Sequence, residues 1–232
     1  MAFYFHVNND KAFIAIFSPR CGCTTLKNWF VSSLDQPETD EHTLLKRTWI
    51  PHSRLGEFPD HRKLFFIRDP YSRVVSFYCK FVVGKAPEWC FADDLRKYRL
   101  EGKTFAEFVQ ILALLSARGD LLQHHLIPQL EGTQGVSFDE VIPVESLDDL
   151  IGALNDELRV SWDPRRLNAT NYGPRTWEGA YGRGPKELLE QGLPSKSSFY
   201  NDEIIETISS IYREDIEFYR RHNPGQSIPT IC

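Results

Sequence analysis

The stretch Phe17-Ser18-Pro19-Arg20-Cys21-Gly22-Cys23-Thr24-Thr25-Leu26-Lys27 carries the residue types and spacing of an anion-binding turn. Before it, Ala12-Phe13-Ile14-Ala15-Ile16-Phe17 is a short apolar run rich in strand formers. After it, Leu26, Trp29, Phe30 and Leu34 recur at helical spacing, so the period changes from strand to helix across the turn. A turn of this kind aims several backbone N–H groups at one point, beside the positive end of a helix dipole. Phosphate or sulfate is the natural occupant of such a point. Arg20 and Lys27 add charge there, and Thr24 and Thr25 add hydroxyl donors. An ordinary strand-to-helix connection has the same outline, so the turn needs support from elsewhere in the chain.

A second stretch gives that support. Leu64-Phe65-Phe66-Ile67 is another apolar strand, followed by Arg68-Asp69-Pro70-Tyr71-Ser72-Arg73-Val74-Val75-Ser76. Asp69 can cap a helix whose first position is Pro70, a residue that needs no N–H there and has φ preset. Arg68 then ends a strand, where open α/β sheets bind ligands. Arg73 and Ser76, three apart, share one helix face. Two arginines and a hydroxyl directed to one strand end meet what a second phosphate requires of planar, multi-donor side chains.

These residues resemble those of the sulfotransferases that use 3′-phosphoadenosine 5′-phosphosulfate (PAPS), and especially the Golgi-type carbohydrate sulfotransferases. Pro19-Arg20-Cys21-Gly22-Cys23-Thr24 is similar to that family's Pro-Lys-x-Gly/Ala-Cys/Ser-Thr loop, which holds the 5′-phosphosulfate, with Lys27 at a further basic position. Arg68-Asp69-Pro70 with Arg73 and Ser76 matches its 3′-phosphate motif in full. His125-Leu126-Ile127-Pro128-Gln129 looks like its His-Trp-x-Pro-Gln segment, Asn168-Ala169-Thr170 like its late Asn-containing loop, and Tyr200 to Tyr219 like its closing helix. The resemblance runs in family order over most of the chain. It implies that Arg20, Cys21, Gly22, Cys23, Thr24, Thr25, Arg68 and Ser76 bind PAPS as co-substrate, and that the acceptor is a hydroxyl of a carbohydrate or glycan. One departure stands out: the family's loop lysine is Arg20 here, which keeps the charge but is no compact point charge.

Sulfuryl transfer places an attacking oxygen and a leaving phosphate in line, so positioning and charge stabilisation supply most of the catalysis. Arg20 and the loop N–H groups are assigned to the leaving oxygens. The acceptor hydroxyl needs a base that works near neutral pH, the province of histidine. His52 is the first candidate, since it precedes the Arg68 strand as does the catalytic histidine of the similar uronyl 2-O-sulfotransferases; a surface-loop histidine is the plain alternative. His125 is the second, and fits better as a packing residue. No metal is called for, and no metal-ligand spacing is seen. Two other readings stay open. A P-loop kinase or NTPase would share the strand, turn and helix, although the Gly-x-x-x-x-Gly-Lys-Ser/Thr pattern is absent. A catalytically silent glycan-binding relative would follow if Arg20 disables transfer.

The elements that must position these residues predict an α/β fold, a P-loop-NTPase-like three-layer sandwich with a central, mostly parallel sheet, an N-terminal hairpin and helices on both faces. Phe3 to Val7 and Lys11 to Phe17 flank Asn8-Asn9-Asp10, a hairpin connection that makes the first strand an edge. Residues 35 to 61 read as loop with short elements. Phe105, Phe108, Ile111, Leu112 and Leu115 mark an amphipathic helix, and Phe138 to Val144 a third core strand. Ser146 with Asp149 resembles a capping box for a helix buried along Leu147, Leu150, Ile151, Leu154 and Leu158. Asn201 or Asp202 caps a single last helix, with Ile204, Ile208, Ile211, Asp215 and Tyr219 aligned. Residues 159 to 200 hold seven Lys and Arg against four Asp and Glu, which makes them a locally basic loop region and a cover for the nucleotide and part of the acceptor site.

At 232 residues the chain is read as one sulfotransferase domain spanning 1–232. Its net charge of −5 and pI near 5.8 argue against sequence-independent nucleic-acid binding, so anionic ligands must be met locally. No apolar run reaches membrane-span length, and the first residues lack a signal-peptide pattern. That predicts a cytoplasmic protein, or a soluble catalytic domain removed from a membrane-anchored chain. Cysteines 21, 23, 79, 90 and 232 show no paired-ligand spacing. Cys23 reads as loop packing and Cys79 as core, with a Cys79 to Cys90 disulfide as the lesser option.

Overall fold

The computed structural model describes residues 3–35, 41–84, 97–120, 125–162 and 170–225. The chain divides into two compact units. One comprises Met1–Arg68, Gln129–Ala169 and Arg221–Asn223, the other Asp69–Pro128, Thr170–Arg220 and Pro224–Cys232.

Among the described residues, the first unit holds one four-stranded sheet in the order β1 (Tyr4–Asn8), β2 (Phe13–Phe17), β3 (Arg62–Ile67), β4 (Glu140–Pro143). β1 and β2 form the expected antiparallel hairpin, Tyr4 opposite Phe17 and Asn8 opposite Phe13, and β1 is the edge strand. β2–β3 and β3–β4 are parallel, which requires the long crossovers the sequence supplies. Every residue of β2 is buried, as a central strand covered on both faces demands. On one face, Phe13, Ala15, Phe17, Leu64, Phe66 and Ile142 pack with Leu26, Trp29 and Phe30 of α1 (Cys23–Ser32) and with Leu147, Ile151 and Leu154 of the helix Leu147–Leu158. Each fully buried large side chain contributes about 1.5–3 kcal/mol. The Trp29 indole N–H donates to Asn155 Oδ1 at 2.9 Å, so the largest core side chain also satisfies its polar atom. The fold is thus of the expected class, α/β with a central, mostly parallel sheet flanked by helices.

Two details of this unit differ from the sequence reading. Ser146 makes no capping bond; a 3₁₀ turn, Val144–Ser146, leads directly into the helix. Leu150, counted in the buried stripe, is 41% exposed, because the stripe that faces the sheet is the narrower Leu147, Ile151, Leu154 row. Residues 41–48 and 52–57 supply the short elements foreseen in that region, an α-helix and a 3₁₀ turn.

In the second unit, the helix Pro70–Phe77 opens on Asp69, whose carboxylate accepts from the N–H groups of Tyr71 (3.2 Å) and Ser72 (2.9 Å). It runs on into a π-helical turn, Tyr78–Val83, a form that gathers at functional sites. Phe77 and Tyr78 pack on Phe108 of the helix Phe105–Ala117, and Tyr78 also on Phe105; Thr104 and Glu107 close a capping box at its start. The single closing helix of the sequence reading is two, Asp202–Ile211 and Arg213–His222. Tyr212 leaves helical geometry between them (φ −113°, ψ 31°), and its buried hydroxyl donates to the Leu126 carbonyl at 2.7 Å. Asn201 is the cap, accepting from the Ile204 N–H. In the basic region, Gly173 N–H donates to Leu193 O (2.7 Å) and Ser195 N–H to Arg175 O (2.8 Å), lacing two arms together. A Cβ on Gly173 would lie 2.9 Å from that Leu193 oxygen, so glycine is required by the close approach.

Candidate functional site

The parallel strands β2, β3 and β4 end level with one another, with Phe17 opposite Phe66 and Ile67 opposite Pro143. Their carboxyl ends therefore deliver three segments to one edge of the first unit: the loop from Ser18, Arg68, and the Val144–Ser146 turn. This is the end of an α/β sheet where ligands bind. The loop is built from inside. Ser18 is buried; its carbonyl accepts from the Cys21 N–H (3.3 Å) and from the Cys23 thiol (3.3 Å), and its hydroxyl lies 3.1 Å from Cys21 Sγ. Arg20 and Gly22 both take left-handed backbone, φ 69° and 71°. Gly22 is the residue before α1, and its carbonyl accepts the first helical bond from Leu26. No protein atom lies within 4 Å of a Cβ placed on Gly22, so the backbone angle is what favours glycine there. The first turn of α1 carries no acidic residue to offset its positive end, and it presents Thr24 and buried Thr25.

One buried side chain joins this loop to β3. Gln129, 2% exposed, accepts at Oε1 from the Arg68 N–H (2.9 Å) and from the Cys21 thiol (2.8 Å), while its Nε2 donates to the Arg68 carbonyl (2.8 Å). Arg68 closes the circuit: its Nη1 donates to the Arg20 carbonyl at 2.7 Å. The same guanidinium has Glu145, from the turn after β4, 3.8 Å from Nε. So the structure brings Arg20, Cys21 and Arg68 together, and adds Gln129 and Glu145, to which sequence reasoning gave no role at the site. In the sequence Gln129 stands out only as part of the Pro-Gln segment, and its one signal for a polar role is a carboxamide beside apolar neighbours.

A second addition lies on β1. The Lys27 ammonium sits 4.0 Å from the centroid of the Tyr4 ring. Burial, with the nearby Cys23 thiol, pushes the Tyr4 phenol up to about 12, so it is neutral at ordinary pH. Tyr4 stacks on His6, two residues along the same strand face. His6 is buried, and burial together with the Lys27 charge lowers its pKa to about 3; its Nδ1 lies 3.1 Å from Thr48 Oγ1. A neutral ring pair therefore carries the Lys27 cation at the mouth of the loop.

The outer side of β1 places His52. Trp49 bridges to His6 in antiparallel sense, and the Ile50 N–H donates to the Phe5 carbonyl at 2.9 Å. The chain therefore advances toward Tyr4, which is the loop end of the sheet, and His52 follows one residue after Pro51. It is exposed, with its ring edge-on to Phe5 at 5.8 Å. One strand separates this segment from β2, which puts it two strand spacings, about 10 Å, from the β2 axis.

The second unit contains the rest of the Arg-Asp-Pro motif. Arg73 and Ser76 are both buried on the Pro70–Phe77 helix, and Arg73 Nη1 donates to the Ile127 carbonyl at 2.8 Å. Arg73 and Tyr212 between them fix the carbonyls of Ile127 and Leu126. His125 packs its ring against Phe77 and Phe81, 6.2 and 5.3 Å between centroids. Asn168 and Ala169 lie outside the described residues, as do Cys90 and Cys232, so the Cys79 to Cys90 pairing falls there too; Cys79 is buried.

Among the described residues no group of three or more His, Cys, Asp or Glu is arranged to hold a metal ion, and no helix is long and apolar enough to cross a membrane. Comparison with known proteins gave no match among curated proteins and none among solved structures. A family model, described as Sulfotransferase family, matches residues 4–220, which takes in the loop after β2, the Arg-Asp-Pro motif and both units. With the loop, the arginine and the parallel strand ends already in place, the match assigns the chain: it belongs to the sulfotransferase family.

Proposed function

We propose that this sulfotransferase moves the sulfuryl group of PAPS to a hydroxyl of a carbohydrate or glycan. The observation that carries the reading is the junction of loop and strand, where Arg68 at the end of β3 donates to the Arg20 carbonyl of the loop after β2. This junction supports the reading that the loop and Arg68 serve two anionic ends of one ligand. The donor set fits a doubly phosphorylated nucleotide: Arg20, Cys21, Gly22, Cys23, Thr24 and Thr25, with the unneutralised start of α1, are assigned to the 5′ end. Arg68, with Ser76 by the spacing of its motif, is assigned to the 3′-phosphate. Glu145 opposes this in part, since its carboxylate shares the Arg68 guanidinium.

When bound, PAPS supplies an activated sulfuryl group on a good leaving group. Arg20 and the loop N–H groups stabilise negative charge that builds on the leaving oxygens, fixed in place before the reaction begins. His52 holds the acceptor hydroxyl and takes its proton. The excess of basic over acidic residues across 159–200 supports an acceptor that is itself anionic, although Arg183 and Lys186 are paired with Glu187 and Glu190. With the family assigned, the kinase reading has no feature of its own to support it. A silent glycan-binding relative is favoured by Arg20 alone, and a turnover assay separates it.

The test is calorimetry with three nucleotides. Adenosine 3′,5′-bisphosphate should bind at least tenfold more tightly than 5′-AMP or ATP, the worth of one charge-assisted phosphate contact. Equal affinity for all three would overturn the reading.

A further inference from the structure

We propose that Gln129 is a positioning residue that couples the two phosphate-binding elements, so that preference for a nucleotide phosphorylated at both ends depends on its carboxamide. The proposal rests on the functional reading above. β3 pairs with β4 only as far as Ile67 opposite Pro143, so Arg68 is the first residue past that ladder. Gln129 stands in for the missing strand partner: Oε1 accepts from the Arg68 N–H and Nε2 donates to the Arg68 carbonyl. An amide oxygen has two acceptor sites. The second takes the Cys21 thiol, so one atom reads the position of the strand end and of the loop together.

The circuit then returns through a different group. The Arg68 side chain donates to the carbonyl of Arg20, whose left-handed backbone forms part of the turn into Cys21. Strand end, carboxamide, thiol, loop peptide and guanidinium thus make a closed ring, and the carboxamide within it is 2% exposed. In such a ring no member moves alone, and the bonds reinforce one another away from water. Charge arriving at the loop pulls on Cys21 and Arg20, and through them fixes Arg68; charge arriving at Arg68 fixes the loop. Coupling of this kind is reciprocal. Opened at Gln129, each phosphate would still be bound, and neither would help the other.

The variants are Gln129→Leu, which keeps the volume and removes all three bonds, and Gln129→Glu, which keeps an acceptor but loses the donor to the Arg68 carbonyl. Adenosine 3′,5′-bisphosphate, 5′-AMP and 3′-AMP are titrated into wild type and both variants. In Gln129→Leu the bisphosphate should lose about tenfold or more in affinity while each monophosphate changes less than threefold, and Gln129→Glu should fall between it and wild type. A loss shared equally by all three ligands would mean general damage and overturn the proposal, as would no loss at all. A second readout needs no nucleotide: the rate at which iodoacetamide modifies Cys21, followed by peptide mass mapping, should rise at least tenfold in Gln129→Leu at unchanged circular dichroism. If wild type binds none of the nucleotides, the functional reading fails by itself, and the Cys21 rate still decides whether the ring holds the loop; an unchanged rate overturns it. Should Gln129→Leu fail to fold, Gln129→Glu carries both measurements.

Discussion

At position 20 a guanidinium stands where the resembling loops carry lysine, and at position 52 an exposed imidazole stands at the loop end of the sheet; the two can be told apart by what they do to binding. His52→Ala should lower turnover about a hundredfold or more with nucleotide affinity nearly intact, because a base touches the acceptor proton and not the phosphates. Arg20→Ala should weaken both, since the role proposed for it sets its charge against the leaving group before and during transfer. Arg20→Lys should retain or raise turnover if arginine is a tolerated substitute; its loss of activity would show a site rebuilt around a planar, five-donor head. Full turnover in His52→Ala removes His52 from the mechanism. The loop and Arg68 were legible in the sequence because their chemistry is written in consecutive residues beside apolar strands. Gln129 and Glu145 were not, since their contacts to Arg68 and Cys21 span 61 to 108 residues and leave no local period. From the sequence Tyr4 is simply a strand residue, and its contact with Lys27 depends on which way β1 pairs.

β1 carries a prediction of its own through His6. Its pKa of about 3 in the folded chain lies below the ordinary 6.5, so the unfolded chain takes up a proton that the folded one refuses. Stability from this group is therefore full above about pH 6.5 and is lost as pH falls toward 3, at about 1.4 kcal/mol per unit, or about 2 kcal/mol by pH 5. Replacement by phenylalanine suits the rings of Tyr4, Phe17 and Phe30 around it and removes the titration. Urea unfolding at pH 7 and pH 5 should show a drop about 2 kcal/mol larger in wild type than in His6→Phe; equal drops would show that His6 is not held neutral. The strands were legible because β2 and β3 are apolar runs bounded by turns. The break at Tyr212 was hidden because Ile204, Ile208, Ile211, Asp215 and Tyr219 keep a helical rhythm straight through it, and a residue spacing does not register one backbone step out of line. Ser146 had the composition of a cap, but the 3₁₀ turn before the helix gives it φ −99° and ψ 9°, outside the extended geometry a capping side chain needs.

For the molecule as a whole, a net charge of −5 means that an anionic ligand gains nothing from the long-range field and must be held by local donors. The proposed glycan acceptor, held by several local contacts, suits that condition better than a small phenol with one. A panel of sulfated and unsulfated oligosaccharides, phenols and tyrosine peptides should show transfer to sugar hydroxyls; transfer to phenols alone would overturn the acceptor class. The class of fold and the ends of its strands could be read ahead of the structure, because apolar runs and helical stripes report burial directly. Which helix rests on which neighbour could not, because that is decided by contacts between distant segments. Arg20 has a consequence beyond chemistry. A non-glycine residue at φ 69° carries a local backbone cost of roughly 1 kcal/mol or more that glycine would not carry. A laboratory selection that rewards only survival of heat would favour glycine at position 20 and, under the role proposed for Arg20, discard turnover with it, so a library built on this scaffold is sorted on melting and on catalysis at once.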